Sequence, residues 1–180
     1  MSYDLSVFKV LIKKIFPPKK CVYTLDTTEN GKADSVQIKA LNVIIPFVIP
    51  ENIKIGDFNI QTFDMNNIDI SKYAKIYLDN ELLNISKENV NLDTIQERIM
   101  IYHGGELFTL NNILEGKLSG RTIALGDNIS IILKLDESSL EKLTEGKHIF
   151  KIESDVITGI EIHFELDKNN MNLRFDSNNT

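Results

Sequence analysis

Apolar and polar side chains alternate at every second residue in three runs between Arg121 and Leu166, and this alternation constrains the fold most strongly. Because successive side chains of a strand point to opposite faces, each run predicts a half-buried β-strand. Together the runs predict an antiparallel meander with one apolar face, which a second layer must cover. The side chains expected to point inward are Ile129, Ile131, Leu133 and Leu135, then His148, Phe150 and Ile152, and then Ile160, Ile162, Phe164 and Leu166.

The rest of the chain predicts further short strands separated by turn residues. Residues 42–55 are apolar but contain Pro46 and Pro50, which favours a buried or edge strand that leaves through an extended turn. About nine to eleven strands at this spacing predict an all-β fold, either an antiparallel β-sandwich (immunoglobulin-like or jelly-roll-like) or a partly open barrel. No helix pattern alternates with the strands, which excludes a doubly wound parallel sheet and its dinucleotide crevice.

A chain of 180 residues is long enough to bury one core, and we divide it into three parts. Residues 1–20 form a basic amphipathic segment, residues 21–167 the β-sandwich domain, and residues 168–180 a polar tail. Within the tail, Met171, Leu173 and Phe175 have the spacing of a last edge strand.

The segment from Leu5 to Phe16 has the apolar spacing of a helix that ends before Pro17 and Pro18, and a strand is the alternative. Basic amphipathic helices can bind anionic membranes or partner proteins. We favour a plainer interpretation, in which the segment covers one end of the sandwich, so membrane contact through it is disfavoured. Its lysines interrupt the apolar region, which also argues against a cleavable signal peptide and favours a cytoplasmic protein.

Composition excludes several classes of function. The net charge of -6 and the pI of about 5.1 disfavour a nucleic-acid partner, which usually requires a basic face. The single cysteine, Cys21, cannot form an intramolecular disulfide and fits a reducing compartment. We interpret it as a small packed side chain and not as a nucleophile. No apolar run approaches the roughly 18 residues needed to span a bilayer.

The loop that begins at Asp26 has two interpretations. Asn30 and Gly31 both tolerate positive φ and favour a plain hairpin turn, which we prefer. The loop also resembles a calcium-binding loop, with Gly31 at the sixth position, although Gln37 stands at the twelfth position where a glutamate is expected. No other cofactor is expected. The candidate calcium ligands, at the first, third, fifth and ninth positions, are Asp26, Thr28, Asn30 and Asp34.

No catalytic residue is predicted. The alternation directs His148 inward and His163 outward, so a shared zinc site on that hairpin is disfavoured. No serine lies in a recognisable nucleophile turn, and Glu161 and Glu165 are expected on a solvated face. One group of aromatic residues predicts either a sugar-stacking patch or ordinary cross-strand packing, of which packing is favoured. That group comprises Tyr77, Tyr102 and Phe108.

Four phrases of the sequence together resemble the β subunit of C-glycoside deglycosidases, in which similar phrases follow in the same order. The match spans about half of the chain, from Ile76 to Glu153. Two positions depart from the family pattern, since Asn80 stands where glycine is expected and Thr144 where proline is expected. The phrases are IYLDNE at 76–81, HGGELFTL at 103–110, LGDNI at 125–129 and LTEGKH at 143–148.

The resemblance implies a small β-sandwich subunit beside a larger catalytic subunit. In that family the larger subunit is a metal-dependent barrel, similar to sugar isomerases, that cleaves an oxidised glycoside. The chemistry would then reside mainly in the partner, and no catalytic residue can be transferred to this chain.

Two hypotheses of function follow. The first is a non-catalytic accessory subunit that packs on a larger catalytic partner in a sugar- or glycoside-processing complex. The second is a free-standing immunoglobulin-like binding or assembly module, for which calcium in the loop at Asp26 and Asp34 is one option. The expected partner is the larger catalytic subunit or, alternatively, a second copy of this chain. A self-contained enzyme ranks third.

Overall fold

The structure is a computed structural model that describes residues 5–50, 54–55, 58–59, 75–83, 98–153 and 159–175. Within these ranges the helices are short and are α1 (Leu5–Ile15), α2 (Leu110–Leu114) and α3 (Glu137–Leu140). The strands are β1 (Val22–Asp26), β2 (Ser35–Leu41), β3 (Phe47–Val48), β4 (Lys54–Ile55), β5 (Phe58–Asn59), β6 (Lys75–Leu78), β7 (Glu81–Leu82), β8 (Ile99–His103), β9 (Glu106–Thr109), β10 (Thr122–Ile123), β11 (Asn128–Lys134), β12 (Gly146–Glu153), β13 (Ile160–Leu166) and β14 (Leu173–Arg174).

The strands confirm the all-β prediction, and the sheets do not close into a barrel. The larger sheet has six strands in the order β14, β1, β2, β11, β8 and β9. All neighbours in it are antiparallel except β1 and β14, which run parallel with Leu25 beside Leu173. The last edge strand expected near Leu173 is therefore present.

The second sheet has four strands in the order β13, β12, β6 and β7. Strands β12 and β13 form a long hairpin, in which His148 lies opposite Phe164. Strands β6 and β7 join through Asp79 and Asn80, whose φ angles are +48° and +69°. Asparagine and aspartate tolerate this left-handed conformation better than most residues do, so Asn80 can occupy a turn position where glycine is common.

The predicted meander of three consecutive strands is wrong, because β11 lies in the six-stranded sheet while β12 and β13 lie in the other. Residues 135–145 connect them through α3, whose first turn is capped by the Asp136 side chain accepting from the Ser139 amide. This connection is long enough to cross the roughly 10 Å between packed sheets. As a result, Leu133 and Phe150 belong to the same core from opposite layers.

The main core lies between the two sheets. Phe150 and Phe164 stack at its centre, with ring centroids 5.0 Å apart. Helix α1 contacts β2 and β13, and Phe16 packs against the core, so the helix expected in the N-terminal segment is present and lies against a strand of each sheet. The buried members are Cys21, Val22, Val36, Ile38, Leu78, Leu83, Leu133, Leu135, Leu143, Phe150, Ile162, Phe164 and Leu166.

A second core covers another part of the same face of the six-stranded sheet. It contains Ile49, Phe108, Leu118 and Ile123, against which Ile101 and Ile129 pack. Strand β3 pairs with β10 to form a two-stranded ribbon that contributes Ile123 to this core.

The alternation in β11 does not separate a buried face from an exposed one. Ile131, expected to point inward, is 39% exposed, while Ile132 on the opposite face is 1% exposed. Ile132 belongs to a third cluster with Leu25 and Tyr102. Both faces of this central strand are therefore buried in part, which side-chain period alone does not predict.

Candidate functional site

The three histidines lie at separate places, and His148 points inward and His163 outward as the alternation predicted. His163 is exposed on the outer face of the four-stranded sheet, 3.4 Å from the Glu161 carboxylate. His103 is buried, and its two ring nitrogens lie 3.3 Å from the carbonyl oxygens of Asn128 and Thr122. The ring of His103 therefore lies between the starts of β10 and β11.

His148 is buried at the start of β12. Its Nδ1 lies 2.7 Å from Asp79 Oδ2, and its Nε2 lies 2.8 Å from the carbonyl oxygen of Thr144. A catalytic base in a His-Asp arrangement keeps one ring nitrogen open to the reacting group. Here both nitrogens are occupied, so the pair of Asp79 and His148 has the geometry of a structural contact.

Cys21 is confirmed as a packed side chain. It is fully buried in the main core, and burial raises the pKa of its thiol to about 12. Because the thiolate is the nucleophilic form, this cysteine is inert at neutral pH.

The candidate calcium ligands lie on the loop between β1 and β2. Asp26 Oδ1 and Oδ2 accept hydrogen bonds from the amides of Asn30 and Gly31, at 3.1 Å and 2.6 Å. The side-chain oxygen of Asn30 accepts from the Lys32 amide, while Thr28 is exposed. Gly31 has the positive φ expected of the turn, +86°, whereas the other left-handed residue of the loop is Glu29 instead of Asn30.

The Asp34 carboxylate is held even more extensively by its neighbours. It accepts from the Thr28 amide at 3.0 Å and from the hydroxyls of Thr27 and Ser35, each at 2.7 Å. Burial disfavours its charged form, but the hydrogen bonds from Ser35, Thr27 and Thr28 outweigh burial and lower the pKa of Asp34. A calcium ion would compete with these donors, and its binding stays a prediction.

No larger metal cluster accompanies this loop within the described ranges, where no three His, Cys, Asp or Glu side chains are placed to hold an ion together.

The sugar-stacking interpretation of the aromatic residues is wrong. Tyr77 lies in the four-stranded sheet, whereas Tyr102 and Phe108 are buried in two different clusters. Their packing separates them, so they share no platform.

An exposed apolar surface is the most distinctive feature of the described residues, and sequence reasoning missed it. Its five side chains are between 46% and 64% exposed. The sequence predicted a buried or edge strand over residues 42–55, but next to Pro46 only Phe47 and Val48 pair with β10. We call this the apolar loop surface, formed by Ile44, Ile45, Phe47, Val48 and Leu125.

Asn42 ties the two segments of this surface together. Its Nδ2 donates to the carbonyl oxygens of Ile45, Ile123 and Ala124 at 2.9–3.0 Å. Its Oδ1 accepts from the Ile44 amide at 3.3 Å, and its backbone exchanges hydrogen bonds with the 126–127 turn. The apolar side chains are therefore presented by a loop pair of defined shape.

The composition of these segments strengthens the interpretation. Neither residues 42–48 nor residues 122–126 contain a charged side chain. The surface also holds five of the eight large apolar residues that are exposed in the described part of the chain. Single exposed apolar residues are common, but several of them on two neighbouring loop segments are typical of an interaction site. An uncharged apolar run divided by prolines was the available sequence signal.

Comparisons with known proteins add no family. No protein-family model matches the chain, and no curated protein matches it either. The similarity to C-glycoside deglycosidase β subunits therefore stays a prediction.

Across the residues whose structure is described, no helix has both the length and the apolar character needed to cross a membrane.

Proposed function

We propose that this chain is a non-catalytic β-sandwich accessory subunit that packs on a larger catalytic partner through the apolar loop surface. The observation that carries the proposal is the exposure of five apolar side chains on loops arranged by Asn42. The engaged ring nitrogens of His148 and the protonated thiol of Cys21 agree with chemistry that resides in the partner.

The size of the surface suits a protein partner. Complete burial of one large apolar side chain contributes about 1.5–3 kcal/mol, and these five are roughly half exposed already. Covering them contributes roughly 5 kcal/mol before the cost of association. Because Asn42 already orders the loops, less conformational entropy is lost on binding. The surface could thus act as the apolar centre of a larger interface.

The resemblance in the phrases 76–81, 103–110, 125–129 and 143–148 supports a partner that processes sugars or glycosides. The single cysteine and the pattern of the N-terminal segment support a cytoplasmic location. In the alternative proposal, a second copy of this chain covers the surface and the protein is a free-standing homo-oligomeric module.

Purification of the tagged chain from its native cells tests the proposal, with Ile45→Asp as the disrupting variant. We expect a stoichiometric complex with a larger protein that cleaves a C-glycoside, and we expect Ile45→Asp to lose that protein. Val10→Asp is the matched control, because Val10 is similarly exposed but lies on α1. A chain that stays monomeric, or a complex that tolerates Ile45→Asp, would contradict the proposal, and a homodimer sensitive to Ile45→Asp would favour the alternative.

A further inference from the structure

The His148 ring is enclosed by groups that can only accept hydrogen bonds. Nδ1 faces a carboxylate oxygen of Asp79 at 2.7 Å, and Nε2 faces the backbone carbonyl oxygen of Thr144 at 2.8 Å. Phe164 stacks on the ring at 5.4 Å between centroids. Both polar distances are those of well-formed hydrogen bonds.

A neutral imidazole cannot satisfy both contacts. It has one N–H group and one bare nitrogen, so one contact would place a lone pair against an oxygen lone pair. Only the imidazolium donates from both nitrogens, and the Asp79 carboxylate supplies its counter-charge. The geometry points to an imidazolium at His148 that holds both the β6–β7 turn and Thr144 at the start of β12 by hydrogen bonds. We call this pair of hydrogen bonds the clamp, and one of the two is lost when the ring loses a proton.

The two sides of the clamp differ in strength. Asp79 is also attached to β12 by other means, since its Oδ1 accepts from the Ile149 amide and its own amide donates to the Ile149 carbonyl, both at 2.9 Å. A charge-assisted bond to Asp79 is also stronger than a bond to a neutral carbonyl. When the ring is neutral, its single N–H group therefore donates to Asp79, and the hydrogen bond to the Thr144 carbonyl is lost. Thr144 lies in residues 135–145, which connect the two sheets, so rising pH loosens this connection.

The other charged groups near the ring are placed to act less directly. Glu81 of β7 pairs with Lys142. Glu145 and Lys147 precede His148 in the chain, and Lys147 lies opposite Glu165 on the other face of the hairpin. His163 lies opposite Ile149 on that same outer face. Asp79 is thus the carboxylate in direct contact with the ring among the described residues.

Ring-nitrogen NMR spectra of the full chain with ¹⁵N-histidine test the proposal. His148→Gln and His163→Gln assign the two rings. At about pH 7, near the middle of the range in which histidine commonly changes charge, we expect both nitrogens of His148 to carry protons. A native His148 ring with one protonated and one bare nitrogen at this pH would overturn the proposal.

Asp79→Asn is the informative variant, because asparagine tolerates the left-handed conformation of this turn and keeps an acceptor for the Ile149 amide. At fixed pH we expect it to lower the ratio of charged to neutral His148 by about tenfold or more, the factor for one lost charge-assisted hydrogen bond. Glu161→Gln, which removes the carboxylate beside His163, should leave His148 unchanged. An unchanged ratio in Asp79→Asn would refute the clamp.

Hydrogen exchange tests the loss of the Thr144 bond itself and does not depend on the variant at position 79. The exchange rate of the Thr144 amide relative to that of Ile132 should rise with pH in the wild-type protein. In His148→Gln this ratio should not depend on pH. A ratio that is independent of pH in the wild type would show that the connection does not respond to the ring.

Discussion

Asn42→Ala tests whether one side chain organises the apolar loop surface. The variant removes the Nδ2 donor to the carbonyls of Ile45, Ile123 and Ala124 and the Oδ1 acceptor for the Ile44 amide. The amide has two N–H groups for these three carbonyls, so the loss amounts to about two donated bonds and one accepted bond.

The expected cost follows from these contacts. A neutral hydrogen bond contributes about 0.5–1.5 kcal/mol to stability, and the accepted bond at 3.3 Å is long. Asn42 is only half-buried, so water replaces part of what is lost. We therefore expect Asn42→Ala to lower the free energy of unfolding by roughly 1–2 kcal/mol.

Urea denaturation measures this change, and amide exchange shows where it acts. The amides of Ile44 and Gly126, which bond to Asn42, should exchange faster, while those of β12 should not change. Asn42→Asp is the matched variant: it keeps an acceptor but places a carboxylate beside three carbonyl oxygens, and should cost at least as much. If Asn42→Ala changes neither stability nor exchange at these amides, Asn42 does not organise the surface.

Further predictions concern the core, the thiol and the hairpin loop. Phe150→Ala should lower the free energy of unfolding by about 3–5 kcal/mol in urea denaturation, because Phe150 is fully buried between the sheets. Cys21 should resist alkylation in the native state and react once the protein is unfolded in urea. Because burial raises the pKa of the folded thiol from 9.0 to about 12, its contribution to stability should be lost as pH rises through that interval. The lowered pKa of Asp34 gives the opposite pH dependence. The contribution of Asp34 to stability is present above the ordinary value of 3.8 and is lost as pH falls below it, and acid unfolding of wild type and Asp34→Asn would show this loss. Asp26→Ala should destabilise the loop by about 1–3 kcal/mol without calcium, through the bonds lost from Asn30 and Gly31. Calorimetry with calcium chloride distinguishes this loss of hydrogen bonds from the loss of a metal site. Binding heat and a rise in melting temperature in the wild type, both lost in Asp26→Ala, would support a calcium site. The absence of both in the wild type would exclude a calcium site.

Local patterns were sufficient for several elements. The alternation around β12 and β13 predicted both strands, the inward position of His148 and the outward position of His163. The amphipathic spacing and Pro17 predicted α1, which ends at Ile15. These features depend on neighbours a few residues away, so the period of the side chains contains the necessary information.

The local sequence pattern did not predict which sheet each strand joins. The alternation of β11 indicates a strand but not which strand pairs with it, and β11 pairs with β2 and β8 instead of standing beside β12. That choice depends on residues 135–145, which cross between layers, and on the burial gained when Leu133 and Phe150 enter one core. The sequence placed the carboxylates of Asp26 and Asp34 on one loop as candidate calcium ligands, but the amides from which they accept hydrogen bonds are set by the folded loop.

By itself, the sequence determined an all-β chain, the positions of its long strands and the inward or outward direction of His148 and His163, because each follows from side-chain period. Only the tertiary structure decided that residues 44–48 are exposed. Their hydrophobicity is that of a buried strand, and their position depends on Asn42 reaching Ile123 and Ala124, which are distant in the chain. Exposure is a property of which segments cover one another, and hydrophobicity along a single segment does not contain it.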